Sequence, residues 1–271
     1  LGGGEARMAY SDPQATLAQI LEPNAVSFTP DSKRAWVTCT VNNATIELDM
    51  EALEGGGSAV LGAFGLGTRD MTSGRGFDGK SNGTSLVEMP SFGCKAWRQP
   101  REVAVVQAGA MVLMLSANEG RPRLSVNGEE EVLSFESAGA PDYTGLQIDP
   151  AYGFGATGDE LDDVYVYGSR SFSIWDVTWP GTGPQLIYDS ESLLEETLAS
   201  LLPTYANSLS SANGTHDQAS VARGPEPSSV KFGMIQGKEH LFVSLEQMGG
   251  AMVFSMSNWG LPSMAASFQG Y

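Results

Sequence analysis

The sequence predicts an all-β fold: a β-propeller with about four recognisable blades, long loop insertions and one short helix. Three observations point there. A strand–turn–strand pattern recurs four times along the chain. Gly (33) and Pro (14) are abundant, and the apolar residues, 41% of 271, fall in many short runs. Such a composition favours strands and tight turns over long helices.

The elements follow in order. The first unit runs Ala35-Trp36-Val37-Thr38-Cys39, turns at Asn42-Asn43 and continues from Thr45 to Met50. The second is Met111 to Leu115, a turn at Asn118-Glu119-Gly120 and a strand from Leu124. The third is Val164 to Tyr167, a turn at Gly168-Ser169-Arg170 and Ser171 to Asp176. The fourth is His240 to Leu245, a turn at Gln247 to Gly250 and Ala251 to Met256. A further strand precedes three of these units, at Ala25–Phe28, Val103–Gln107 and Val230–Met234, each shortly after a proline (Pro23, Pro100, Pro227). Repetition of a three- or four-stranded unit is the mark of propeller blades, although a β-sandwich and a set of unrelated hairpins satisfy the same pattern. Insertions interrupt the spacing at about 52–99, 128–160 and 190–224. Residues 54–93, rich in Gly, Ser and Asn, read as a long surface loop. Ser190 to Leu202 reads as the helix, with Glu195 and Glu196 in its first turns and Pro203 as its stop. The organisation expected is an extended N-terminal segment over 1–14, a partial propeller domain over 15–258 and a C-terminal tail or connection over 259–271.

Charge narrows the function. Asp and Glu outnumber Lys and Arg 32 to 15, for a formal net charge of −17. That field repels phosphate backbones, so no nucleic-acid partner is expected. Divalent cations, basic proteins and mineral surfaces are attracted. No apolar run is long enough to cross a membrane as a helix. Cys39 and Cys94 lack metal-ligand spacing; a disulfide in an oxidising compartment and two buried thiols are both open readings. The chain opens Leu1-Gly2-Gly3-Gly4 without an initiator Met or signal peptide, as a processed product or a portion of something longer would. N-glycosylation acceptors at Asn43, Asn82 and Asn213, each among turn residues, point to the secretory route and an extracellular or cell-surface location. The two histidines, His216 and His240, stand near no recognisable nucleophile motif. The five tryptophans, Trp36, Trp97, Trp175, Trp179 and Trp259, read as packing between blades, with carbohydrate stacking as the alternative.

Several strings, in order, resemble one family. They include Leu21-Glu22-Pro23, Val41-Asn42-Asn43-Ala44, Ala117-Asn118-Glu119-Gly120 and Gly168-Ser169-Arg170-Ser171-Phe172-Ser173-Ile174-Trp175-Asp176. Tyr188-Asp189-Ser190, Leu202-Pro203, Gly224-Pro225-Glu226-Pro227 and Leu245-Glu246-Gln247-Met248-Gly249-Gly250 follow. Together they are similar to the choice-of-anchor I proteins, a family that includes mesenchyme-specific cell-surface glycoproteins linked to biomineralisation. The resemblance implies a seven-bladed ring of which this chain supplies the middle and C-terminal part. Other protein chains, or the remainder of its own precursor, would complete the propeller.

The resemblance also nominates site residues. The family commonly places an acid after the proline that opens a blade, where inner strands line the channel. Here Asn24 follows Pro23, Arg101 follows Pro100, and Glu226, after Pro225, keeps the acid, with Glu102 one place beyond Arg101. Arg121-Pro122-Arg123 and Arg223 also stand where acids are usual. Glu119, Glu226 and Glu246 survive at corresponding turns. They are placed either to hold Ca²⁺ near the channel mouth or to pin turns and pair with Arg170. Asp78 opens Asp78-Gly79-Lys80-Ser81-Asn82-Gly83, a loop with oxygen ligands at alternate positions that reads as a calcium loop or as an ordinary Gly-rich turn. The expected function is a non-catalytic binding or structural module of a surface, matrix or appendage assembly, with calcium or mineral as its associate. The competing expectation is a metal-dependent phosphoesterase with its site in the channel.

Overall fold

The structure, a computed structural model, describes residues 2–7, 15–124, 128–135, 143–153, 162–209, 215–257 and 262–269. Four open sheets carry the chain. The first contains β1 (Gly2–Gly3), β2 (Ala25–Phe28), β3 (Arg34–Cys39), β4 (Ala44–Asp49) and β5 (Val60–Gly65), in the order β1-β5-β4-β3-β2. The second contains β6 (Thr68–Asp70), β7 (Cys94–Trp97), β10 (Leu133–Phe135), β11 (Leu146–Ile148) and β12 (Val164–Val166), in the order β10-β11-β12-β7-β6. The third contains β8 (Glu102–Ala108), β9 (Met111–Asn118), β13 (Ser171–Asp176) and β14 (Gln185–Asp189), in the order β14-β13-β9-β8. The fourth runs β15 (Pro227–Ile235), β16 (Lys238–Leu245), β17 (Gly250–Ser255) and β18 (Ser263–Gln269). Three short helices complete the fold: α1 (Leu17–Ile20), α2 (Met50–Glu54) and α3 (Leu193–Leu201).

Strands form where β-branched and aromatic residues alternate with small polar ones, as in Arg34-Ala35-Trp36-Val37-Thr38-Cys39. The Asn42-Asn43 turn closes this hairpin because Asn43 tolerates φ +51° and its N–H reaches Thr40 O at 3.0 Å. The three strands that follow prolines, β2, β8 and β15, are each an edge of their sheet, and β8 lies against both of the others. Trp36, Phe64, Val103, Val105, Met114 and Trp175 fill the space between the first and third sheets. Leu113, Leu115, Phe172 and Ile174 pack against Val230, Leu241, Val243 and Phe254 of the fourth sheet, with Leu194 and Leu198 of α3. The second sheet has its own core around Phe77, Cys94, Leu146, Ile148 and Val166.

Three expectations change. The second and third hairpins are not separate units: β13 pairs with β9, while β12 joins the second sheet in parallel with β7. The switch occurs at Gly168 (φ +70°) and Arg170 (φ +57°), which carry the chain out of one sheet into the other. A ladder of polar contacts then zips β9 to β13: Asn118 donates to Ser171 Oγ and Ser173 Oγ, and Trp175 Nε1 donates to Ser116 Oγ. The strand expected from Leu124 is a single bridge to Glu130. The 54–93 stretch is not wholly surface loop, for it supplies β5 and β6 and buries Met71 and Phe77. The last residues supply β18, paired with β17, rather than a free tail. The helix appears as α3, ending before Pro203 as expected.

Gly120 and Gly168 hold the β9 turn against the β12–β13 turn at backbone distance. A Cβ on Gly120 (φ +80°) would lie 2.1 Å from Gly168 N, whereas Gly109 (φ +61°) has no atom within 4 Å of the corresponding position. Gly120→Ala is therefore expected to destabilise by about 3 kcal/mol, and Gly109→Ala by about 1 kcal/mol. Denaturant midpoints check the pair, and equal losses would contradict the close approach.

Candidate functional site

Antiparallel pairing brings the acids of the turns together. The start of β8 sits beside the end of β9 (Glu102 opposite Ala117), and the start of β15 beside the end of β16 (Pro227 opposite Leu245). Arg101, Glu119, Glu226 and Glu246, each next to one of those strand ends, therefore meet at one end of two adjoining sheets. Arg101 Nη1 is 2.6 Å from Glu119 Oε2 and also donates to Glu246 Oε2. Arg223 Nη1 is 2.9 Å from Glu226 Oε1 and 3.9 Å from Glu119 Oε1, and its Nη2 is 3.9 Å from Glu130 Oε1. Arg123 pairs with Glu22 at 3.0 Å. The glutamates thus form a lattice with the chain's own guanidinium groups, the strong bidentate-capable partners of carboxylates.

Burial governs the titration of this lattice. The Glu119 side chain is wholly buried, which pushes its carboxyl up to about 7 even though Arg101 pulls the other way; the charges of Glu226 and Glu246 add to the rise. Glu226 is also raised, by burial first, with Arg223 opposing. Glu119 Oε1 makes no hydrogen bond and faces Arg223 through charge alone.

Asp78 does not join this lattice. It lies in a second buried cluster that ties the 71–93 segment to α3 and to the 205–224 turns. Ser220 Oγ is its hub, 3.0 Å from Asp78 Oδ2 and 2.6 Å from Asp217 Oδ1. Asn207 Nδ2 donates to Ser220 Oγ at 2.9 Å and to Asp78 Oδ2 at 3.2 Å. Arg170 pairs with Glu195 at 2.9 Å and donates to Asp78 O and Ser220 O. A serine has one hydroxyl proton, so Asp78 and Asp217 compete for it. Burial, then the charges of Glu195 and Asp217, push Asp78 up to about 8. Arg170 therefore serves this cluster and not Glu119, Glu226 or Glu246. Among the described residues no group of three or more Asp, Glu, His or Cys side chains is arranged to hold a metal ion.

The remaining sequence-predicted residues fall apart in space. Asn43 is wholly buried and fully used: Nδ2 donates to Glu5 O and Gly67 O, and Oδ1 accepts Gln99 N–H. It is a structural clamp and not a glycan acceptor in the folded chain, because the amide nitrogen that would carry the sugar is already committed. Asn82 is exposed, its Oδ1 accepting from Thr84 N and Oγ1. Asn213 lies outside the described residues. Cys39 and Cys94 are free, buried thiols on β3 and β7 of different sheets, so the disulfide reading is corrected. Burial pushes both thiols up to about 12. Sequence reasoning missed Asn207, Asp217, Ser220 and Glu195 because their partners are remote in the chain. It noted Arg101 and Arg223 only as replacements for acids. The signal was there: an arginine in a slot where neighbouring blades keep carboxylates supplies their counter-charge.

The chain matches the choice-of-anchor I domain over residues 3–259. It is 26% identical over 105 residues to the mesenchyme-specific cell surface glycoprotein of Strongylocentrotus purpuratus, a match covering 36% of this chain and 14% of that one. It is 31% identical over 101 residues to Gigasin-3a of Magallana gigas, covering 36% of this chain and 34% of that protein. The matched stretch is therefore about a third or less of either relative's length. A putative 6-phosphogluconolactonase from Bacteroides uniformis aligns with 91% of this chain and 56% of its own, at 11% identity and a TM-score of 0.31. The periplasmic gluconolactonase of Pseudomonas aeruginosa aligns with 92% of this chain and 58% of its own, at 11% identity and a TM-score of 0.28.

Two outcomes follow from the buried acids. Arg101→Gln leaves Glu119 buried without its closest cation. Because Arg101 is 30% exposed, the loss is expected to be about 2 kcal/mol rather than that of a wholly buried pair. Arg101→Gln with Glu119→Gln should recover part of it, a coupling that a double-mutant cycle measures. The Asp78 carboxyl rises from its ordinary 3.8 to about 8 in the folded chain. Its stabilising contribution is thus complete below about pH 4 and is lost as pH rises through about 8. Denaturation midpoints should fall across that window, less steeply in Asp78→Asn; an unchanged slope would remove Asp78 as the source.

Proposed function

The chain belongs to the choice-of-anchor I domain family, and from that premise we propose that it is a non-catalytic extracellular module of a cell-surface or matrix assembly. In this reading the four sheets are parts of an incomplete β-propeller, with β2, β8 and β15 as the inner strands of neighbouring blades. Open blades leave strand edges and apolar side chains bare, as at Val26 and Phe28 on β2 and Met234 and Ile235 on β15. Further sequence of the same precursor, or another chain, covers them.

The observation that carries the proposal is the arginine lattice. Phosphoryl transfer in a propeller channel needs carboxylates free to hold a metal firmly. Here Glu119, Glu226 and Glu246 are engaged by Arg101 and Arg223. Two fixed guanidinium charges within hydrogen-bonding distance oppose a divalent cation at the same oxygens. Calcium or mineral association in this reading runs through the acidic surface of a chain with net charge −17, not through these three glutamates. The printed names of the relatives, a cell surface glycoprotein and a gigasin, agree with an extracellular setting. The exposed Asn82 acceptor also suits that route.

The mass and composition of native material test this. The expected result is a multi-chain complex, or a longer polypeptide whose extra sequence completes the blades. A soluble monomer that hydrolyses a phosphoester with Ca²⁺, Mg²⁺, Mn²⁺ or Zn²⁺, and loses that activity in Glu226→Gln, would overturn it.

A further inference from the structure

A cleft of about 380 Å³ opens between the first and third sheets, on residues that the glutamate lattice does not use. Asp31, Lys33, Asp49, Glu51, Thr178 and Pro180 are among its lining residues. Trp179 stands between the last two and is 71% exposed. The other described tryptophans, Trp36, Trp97 and Trp175, are buried to within 3%. An indole left in water is the exception in this chain, and it has a large apolar face to offer a partner.

The loop that carries Trp179 is anchored on both sides. Arg34 donates to Val177 O at 2.8 Å and to Thr178 O at 3.2 Å, and it pairs with the wholly buried Glu47 at 2.6 Å. The other Glu47 oxygen accepts Gly181 N–H at 2.8 Å. Thr178 N–H donates to Asp176 Oδ1 at 2.9 Å, and Thr182 Oγ1 donates to Trp179 O at 2.9 Å. One buried ion pair therefore grips the chain before and after the indole. The exposed ring is held out by its scaffold and is not a frayed loop tip, so little ordering is left for a partner to impose.

The charge around the cleft decides the partner. Asp31, Asp49 and Glu51 line it against Lys33 and Arg34, and Arg34 is committed to Glu47. Lys33 pairs with Glu51 at 2.8 Å on the surface. Hydrogen bonds from Thr29 and from the Lys33 N–H hold the Asp31 carboxyl below its ordinary range, so it stays charged. The surplus is negative, within a chain of net charge −17. An aromatic face beside carboxylates suits a guanidinium or ammonium group, through cation–π attraction and charge together.

We propose that this cleft binds a basic segment of a partner protein, seating an Arg or Lys side chain on Trp179 with Asp31, Asp49 and Glu51 as its counter-charges. The proposal rests on the reading of the chain as a binding module and adds the chemistry of what it binds.

Titration calorimetry with the intact chain and a short Gly/Arg peptide tests it, with a Gly/Ser peptide and a neutral oligosaccharide as comparators. The Arg peptide should bind at low ionic strength and lose that affinity near 1 M salt, where the screening length is about 3 Å. Trp179→Ala should weaken binding about fivefold. Lys33→Ala should tighten it, since Glu51 then loses its internal competitor. A merely structural role for the loop would not move these two variants in opposite directions. No binding of the Arg peptide, equal affinity in Trp179→Ala, or Trp179-dependent binding of the oligosaccharide instead would each overturn the proposal. Native material that still forms a multi-chain complex would leave the module reading standing when this one fails.

Discussion

Arg101 sets one guanidinium nitrogen between Glu119 and Glu246, at the point where the third and fourth sheets begin their inner strands. Everything near it follows from a single constraint: a carboxylate removed from water must be met by a counter-charge or by enough N–H donors. Glu119 is wholly buried, so the turns that carry Arg101 and Arg223 must close on it. That requirement pins the end of β9 against the starts of β8 and β15, and with them the edges of two sheets.

The same constraint recurs on the other side of the chain with a different solution. Around Ser220, two aspartates share one hydroxyl and an asparagine amide, and Arg170 neutralises Glu195 next to them. This cluster fastens the 71–93 segment to α3. A third buried pair, Arg7 with Asp149, joined by Trp97 Nε1, ties the N-terminal segment to the second sheet. Each pair links parts of the chain that β-pairing alone does not connect, which is how a fold of four open sheets holds one arrangement.

Surfaces outside these clusters carry the opposite character. The inner-strand edges of β2 and β15 leave apolar residues in water, and the Trp179 loop keeps an indole exposed on a rigid mount. A free-standing enzyme has little use for either feature. A module that meets other chains uses both: edges for completing blades, and an aromatic ring beside carboxylates for recognising a partner.

Much of the fold was legible in the residues themselves. Alternation of β-formers with turn residues determined that the chain is all-β, and the prolines at 23, 100 and 227 marked β2, β8 and β15. Ser190 to Pro203 announced α3 because helix propensity and a proline stop are local signals. Glu119, Glu226 and Glu246 could be grouped because repeated turns place their ends alike. The tertiary structure alone decided what those acids face, because a counter-charge is found by distance in space and Arg101 lies 145 residues from Glu246. It alone decided that β13 leaves β12 for β9, a choice made by side chains across the sheet and by two positive-φ residues at the turn. It also decided that Asn43, an acceptor by its tripeptide, is a buried clamp, since a sequon specifies bonding capacity and only packing specifies where that capacity is spent.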